Sequence, residues 1–527
     1  MSDQIKTEGA VPAAEQSPDI AKLEATVSHD EVDGGKDQRT NYDLVDKELA
    51  AYVSDAAVEV DEATNARLKK LVDRRILAVM IVTYFLQSVD KGALGFASIM
   101  GFQEDTGLVG QQYSWLTTII YLTILVVEYP ENWIIQRVPI AKWLGANVIC
   151  WGTVVSLTAA CSNWASLMAV RSLLGAFEAA CQPSFTVLTA MWYKRSEQAG
   201  TIVLWYMMNG VQQILGGLVA FIFSHVPDES KVKSWQALFM FHGLVAICWG
   251  VIVLLIMPDS PMKAKCYSEE DKKLMIERVR GNRTGVQNKK FRKEHVYEAL
   301  KDPQVYGFIG IQLFTTLPSG GQGAYAAIVI KSLGYNVWQT QLLQMVTGVV
   351  QIIAMLSSVY IDRRYKNATI YAAMASVVPT IAGTVVLCVV TPSPSSRVGL
   401  LIAWYTMISY WAGVGLGLSL VTRNVAGQTK KTVVVAANFM AWCVGNSIGP
   451  QVFRARDAPR YFPAFSIWLV CFVLLELTFL AMRFYYVAQN RKKDQKIARG
   501  EAVADVANTH GFEDITDKEN VNFRYQY

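Results

Sequence analysis

The chain has 527 residues, 52% of them hydrophobic and only 18% charged, with a formal net charge of +5 and a mean hydropathy of +0.24. A soluble domain of this size carries more charge and shorter apolar runs, so the composition points to a polytopic membrane protein. Nucleic-acid binding is excluded as a reading of the net charge, because the first 60 residues are acidic and the excess Lys and Arg lies beside the apolar runs.

Residues 1–68 are expected to form a disordered acidic cytoplasmic tail, with no apolar period and no cleavable signal peptide. Thr64 to Arg75 is a basic, weakly amphipathic lead-in. Apolar runs then follow at about 76–99, 113–135, 143–161, 165–191, 202–225 and 237–257. Six more lie at about 305–330, 339–361, 369–391, 399–421, 432–453 and 462–487. Each is long enough to span a bilayer as a helix. The expectation is an all-α membrane protein with twelve transmembrane helices in two six-helix halves. The domains are then an N-terminal bundle at 69–257, a cytoplasmic central loop at 258–303, a C-terminal bundle at 304–487 and a cytoplasmic tail at 488–527. In the loop, Ser268-Glu269-Glu270-Asp271 has the spacing of a helix start.

Lys and Arg are sparse in the odd connections and dense in the even ones: Arg137 with Lys142, Lys194 with Arg195, Arg363 and Arg364 with Lys366, Arg423 with Lys430 and Lys431. The positive-inside rule then puts both termini and the central loop in the cytoplasm, with the plasma membrane as the expected location. Arg454, Arg456 and Arg460, between the last two runs, break the pattern. The sequons at Asn282 and Asn367 fall on the cytoplasmic side and are expected to stay unused.

The first run contains Asp90 and Lys91, and the fourth contains Arg171 and Glu178, seven residues apart on one helix face. An ionised residue in mid-bilayer costs roughly 2.5–3.5 kcal/mol on insertion scales, so it is normally paired and functional. Counting along the helices puts Asp90 and Arg171 at one depth, roughly 9 Å inside the outer edge of the hydrocarbon core. Arg171 can grip a carboxylate as a planar fork, whereas Lys91 is a point charge. Glu178 suits a proton carrier, and Asp90 is expected to be held ionised by its neighbours. The alternative is a purely structural buried ion network.

Glu128 and Glu131 end the second run beside Arg137, and Asp362 and Arg363 end the eighth, so these five are expected to form an inner gate. Asn209, Gln213 and Asn446 are candidate lining amides; the glycine-rich stretches around them are explained by close helix packing. Pro318-Ser319-Gly320-Gly321 is expected to break the seventh helix. The histidines, at 29, 225, 242, 295 and 510, are placed away from the span centres. No phosphate loop, HExxH, GxSxG or Cys/His cluster occurs, so an ATP-driven pump, a hydrolase, a metal site and a disulfide framework are not expected, and no cofactor is.

Several stretches together resemble a known family. They include Val89-Asp90-Lys91-Gly92, Gly110-Gln111-Gln112-Tyr113-Ser114-Trp115, Glu128-Tyr129-Pro130 and Arg171 with Gly175 and Glu178. Pro258-Asp259-Ser260-Pro261, Leu317-Pro318-Ser319-Gly320-Gly321 and Gly445-Asn446 with Gly449-Pro450-Gln451 continue the pattern. The chain resembles the major facilitator superfamily and, within it, the fungal allantoate permease branch of the anion:cation symporters. The resemblance implies alternating access and proton-driven import of a small organic anion, such as a ureide, a vitamin or another carboxylate, by a monomer in the lipid bilayer. It implies substrate binding by Lys91 and Arg171 and proton coupling by Asp90 and Glu178. The usual acid of the loop after the second span is missing here, with Gln136 in its place. Proton-antiport export of a secondary metabolite and nutrient sensing by a transporter-like receptor are the alternatives.

Overall fold

A computed structural model describes residues 61–280, 292–499 and 515–527, apart from Asp228 and Lys366. The expected tail up to residue 60, the Asn282 sequon, Lys366, His29 and His510 therefore lie outside the described residues.

The first helix begins earlier than the sequence reading placed it. Asp61 accepts a hydrogen bond from the Thr64 amide (3.1 Å) and starts α1, Glu62–Val72. A five-residue π turn, Asp73–Leu77, joins α1 to α2, Ala78–Ala97. Residues 62–68 are thus helix rather than tail. The reason is local: an Asp cap, an acidic first turn, Lys69 and Lys70 in the last turn, and Leu68 and Val72 buried.

The N-terminal half continues with α3 (Gln112–Ile135) and α4 (Ile140–Thr158). The fourth apolar run is split into α5, Trp164–Glu178, and α6, Cys181–Trp192. Pro183 has no N–H to offer the Ala179 carbonyl, so the helix yields there and Glu178 becomes its last residue. The fifth run is likewise split, into α7 (Arg195–Tyr206) and α8 (Met208–Phe223), and α9 (Ser234–Ile256) closes the half. The central loop holds two helices, α10 (Glu269–Arg280) and α11 (Lys293–Leu300). The Ser268 hydroxyl accepts from the Asp271 amide at the start of α10 (3.1 Å).

The C-terminal half consists of α12 (Pro303–Ser332), α13 (Val337–Arg364), α14 (Thr369–Val389), α15 (Arg397–Met407), α16 (Trp411–Asn424), α17 (Gln428–Ile448) and α18 (Phe462–Ala498). Two expectations need correction here. Helix α12 runs unbroken through Pro318: the proline removes the one bond to the Phe314 carbonyl, and the turns on either side carry the helix on. And α18 continues eleven residues past the expected boundary at 487, to Ala498.

Among the described residues, nine helices are long and apolar enough to cross a membrane. The segments 112–135, 164–192 and 303–332 fall short of that mark, an arrangement consistent with the twelve spans expected. The first and third owe this to the polar groups they bring inside, Glu128 and Glu131, and Gln312 and Gln322, whereas 164–192, which carries Arg171 and Glu178, is divided into helices of 15 and 12 residues, each too short to cross. The halves meet where α2 packs on α12, α3 on α17 and α8 on α13. The central loop lies at one end of the molecule, called here the linker end; residues 98–111 lie at the far end.

Hydrogen bonds between the halves gather at the far end. Tyr113 donates to the Ala324 carbonyl (2.8 Å) and Thr118 to that of Ser447 (2.8 Å). Gln341 donates to Phe96 O (3.3 Å), Lys331 to Ile99 O (3.4 Å), Trp338 to Ser224 O (3.3 Å) and Gln111 to Gln451 O (3.1 Å). The far end is sealed.

Candidate functional site

Between the halves lies a cleft lined from the N-terminal half by Lys91, Arg171, Asn209 and Gln213 and from the C-terminal half by Gln322 and Asn446. Lys91 comes from the middle of α2 and Arg171 from α5. All five residues expected to contact substrate therefore face one space.

Glycine at 92 makes room beside Lys91. A Cβ there would lie 2.1 Å from the Gln212 amide nitrogen, so Gly92 lets Gln212 of α8 lie against α2. Asn209 donates to the Tyr84 hydroxyl (3.0 Å) and accepts from Ser88 (3.3 Å), which fixes its amide plane at the cleft wall. Asn446 donates to its own helix at Trp442 O (2.8 Å) while lining the cleft. Gln322, Tyr121 and Trp442 were not singled out from sequence. Gln322 accepts from the Tyr410 hydroxyl (2.8 Å) and Trp411 Nε1 (3.4 Å). Tyr121 and Trp442 meet edge to face at 5.3 Å, one from each half, with Lys91 Nζ 5.9 Å from the Trp442 ring. Only a three-dimensional fold could reveal that pairing, since 321 residues separate the two rings.

The four intramembrane charges are arranged otherwise than expected. Lys91 Nζ pairs with Glu178 Oε2 at 3.2 Å, and Glu178, wholly buried, makes no hydrogen bond of good geometry. Asp90 turns away from the cleft and accepts from Trp151 Nε1 of α4 (2.8 Å). Among the described residues no ion pair joins Arg171 to Asp90 or Glu178. Arg171 is 1% exposed, its Nε and Nη2 have no hydrogen-bond partner, and its guanidinium lies 5.3 Å from the Phe239 ring centre. Asp90 and Arg171 are not paired, because the Asp90 side chain points toward α4 and Lys91, one residue on, points toward α5.

The expected gate cluster of Glu128, Glu131 and Arg137 does not form. Glu131 accepts from Trp143 Nε1 (2.9 Å). Arg137 lies over the Trp133 ring, one helical turn back, at 3.8 Å, and donates to the Trp133 carbonyl (3.0 Å). Burial separates these groups: Glu131 is on the covered face and Arg137 on the exposed one. Glu128 is half-buried, and its backbone carbonyl accepts from Asn132 (2.9 Å). In the other half, Asp362 is held by the Arg423 fork (2.8 and 3.3 Å) rather than by Arg363, which is exposed. Asp259, from the loop after α9, accepts from the first amides of α4, Ala141 (3.2 Å) and Lys142 (3.4 Å), and places a carboxylate at that helix start. His242 also departs from expectation: it lies well inside α9, buried, with both ring nitrogens unpartnered.

A sequence model of the Major Facilitator Superfamily matches residues 80–450, from α2 to the end of α17. The chain belongs to the Major Facilitator Superfamily. Its relatives include an uncharacterized transporter of Schizosaccharomyces pombe, 36% identical over 92% of this chain and 91% of that one. Allantoate permease of Saccharomyces cerevisiae is 30% identical over 92% and 90%, and a thiamine pathway transporter of the same yeast is 31% identical over 88% and 87%. Of solved structures, a D-xylose–proton symporter superposes with a TM-score of 0.59 at 12% identity, covering 77% of this chain and 96% of that one. A bacterial homologue of the lysosomal transporter Spinster gives 0.57 at 16% identity, covering 77% and 96%. These solved structures share the facilitator fold. The protein is a multi-pass membrane transporter of this superfamily and not an enzyme.

Proposed function

We propose that this facilitator couples inward proton movement to uptake of a small organic anion. The observation that carries the reading is Arg171, a permanently charged fork, buried at the cleft wall with two donors unpaired. A buried guanidinium is costly without an anion, and a carboxylate matches its fork. The loose Lys91–Glu178 pair supplies the coupling. A substrate carboxylate drawn to Arg171 competes for Lys91, and Glu178, released in a low-dielectric site, then takes up a proton. Substrate and proton enter together and leave together. The named relatives, an allantoate permease and a thiamine pathway transporter, favour a nitrogen-rich metabolite bearing a carboxylate, which Asn209, Gln213, Gln322 and Asn446 are suited to orient. The basic residues at the linker end support a cytoplasmic side for that end and for both termini, and on this reading Glu128, Glu131, Arg137, Asp362 and Arg363 flank the inner gate. The protein acts as a monomer in the plasma membrane.

The test is uptake into proteoliposomes with a proton gradient imposed inward. Accumulation of allantoate or a related acid above its external concentration, abolished by a protonophore, is the expected result. Uptake indifferent to the gradient overturns the coupling, and gradient-driven expulsion reverses the direction.

A further inference from the structure

The last thirteen residues, 515–527, are built into the linker end of the C-terminal half. Lys430 at the start of α17 is fully buried, with its ammonium between three carboxylates: Glu298 of α11 (2.8 Å), Asp302 (2.7 Å) and Asp517 of the terminal segment (2.7 Å). Those carboxylates are close enough together for a metal ion, but the lysine ammonium already stands among them. The second Asp517 oxygen accepts from Gln304 (2.9 Å) and the Tyr525 hydroxyl (2.7 Å). Lys493 of α18 donates to the backbone carbonyls of Asp517, Asn520 and Phe523.

Two asparagines read the end of the segment through its main chain. Asn490 of α18 accepts from the Tyr525 amide (3.0 Å) and donates to the Tyr525 carbonyl (2.9 Å). Asn424 of α16 does the same for Gln526 (2.8 Å each way). The Tyr525 ring stacks on Tyr486 at 5.3 Å and is 2% exposed. Thr516 and Asp517 are fully buried. Paired main-chain amides, an aromatic stacked on its receptor and a carboxylate on a buried cation are how a folded domain recognises an extended peptide.

We propose that the linker end of the C-terminal half is a peptide-binding site whose ligand is the chain's own terminal segment. Its walls are Asn424, Lys430, Tyr486, Asn490 and Lys493, and it is specific for a buried Asp followed eight residues later by Tyr. Occupancy ties α11 to the ends of α12, α16, α17 and α18, because Thr516 also donates to Glu298 (2.9 Å). The site thus sets whether that half moves as one block, independently of what the cleft carries.

The experiment uses the full chain with a specific protease site inserted near residue 505. After cutting, the terminal fragment should remain bound through gel filtration, and a labelled synthetic peptide of residues 512–527 should exchange into cut protein but not into uncut protein, where the tethered segment outcompetes it. A peptide carrying Asp517→Asn should bind about thirtyfold more weakly or worse, as loss of one partner of a buried, hydrogen-bonded charge pair does, and so should Tyr525→Ala. All changes are in the peptide, so the folding of the protein is unaffected. A fragment that elutes separately at once, equal binding to cut and uncut protein, or an Asp517→Asn peptide that binds as well as the native one would overturn the assignment.

Discussion

In the proposed coupling, Arg171 and Glu178 divide the work at the cleft by what each side chain can do with its charge. Arg171 cannot discharge, so Arg171→Ala removes the guanidinium fork that, among the described residues, the cleft wall offers to a carboxylate. Substrate affinity should fall by about thirtyfold or more, the 2–5 kcal/mol expected for a buried charged partner, measured as Kd by isothermal titration. Glu178 can be neutral, and Glu178→Gln mimics that form. Exchange of substrate across the membrane should persist in proteoliposomes while accumulation driven by pH is lost. Should Glu178→Gln still concentrate substrate with normal pH dependence, Asp90 becomes the coupling group, despite its turn toward Trp151. Gly92 is the third informative residue. The atom in the way of a Cβ there is the mobile end of Gln212, so Gly92→Ala should fold normally, displace that amide, and raise KM with little change in kcat.

At the scale of elements, close approach and charge placement decide what each helix does. A Cβ at Gly95 would meet the Gly323 carbonyl at 2.8 Å, and a backbone atom of α12 cannot swing aside. Gly95→Ala should therefore weaken the sealed far end by about 1–3 kcal/mol, seen as faster modification of a cysteine placed at Ser319 by a membrane-impermeant thiol reagent added from the far side. At the start of α12, burial pushes the Asp302 carboxyl up, but Lys430, Gln304 and Lys518 more than offset it and hold its pKa below the usual aspartate value. Its contribution is then present above about pH 4 and lost as pH falls further. Retention of the cut terminal segment should fail in that acid window, and Asp302→Asn should weaken it at neutral pH. Helix existence, the two halves and the cleft residues Lys91, Arg171, Asn209, Gln213 and Asn446 were legible because hydropathy and buried charge are written locally. The split of the fourth run at Pro183, the continuity through Pro318, and the partners of Asp90 and Glu131 were not. Each depends on which neighbour a side chain meets across a helix interface, and no spacing along one helix encodes that. The seating of Asp517 on Lys430 was hidden for the same reason: they are 87 positions apart in the sequence.

For the molecule as a whole, the proposed uptake needs the far end to open as well as close, and its bonds are of a kind that permits this. A neutral hydrogen bond is worth about 0.5–1.5 kcal/mol net, so removing one donor, as in Gln341→Ala or Tyr113→Phe, should shift the balance of conformers by about two- to tenfold, measurable as the distance distribution between spin labels at Val109 and Tyr335. In every one of the six bonds described there, a side chain of one half donates to a main-chain carbonyl of the other. The fastener is thus lopsided in the face of mutation. A carbonyl survives any replacement of its own residue, so the acceptors of these six bonds are immune to point change while their donors can be tuned one by one; the side-chain pairs Ser114–Tyr325 (2.7 Å) and Gln451–Thr118 (2.9 Å) can be lost from either half. Drift in sequence can slacken this door by small steps, but it cannot jam it with an orphaned charge, since only one of the six donors, Lys331, is charged at all.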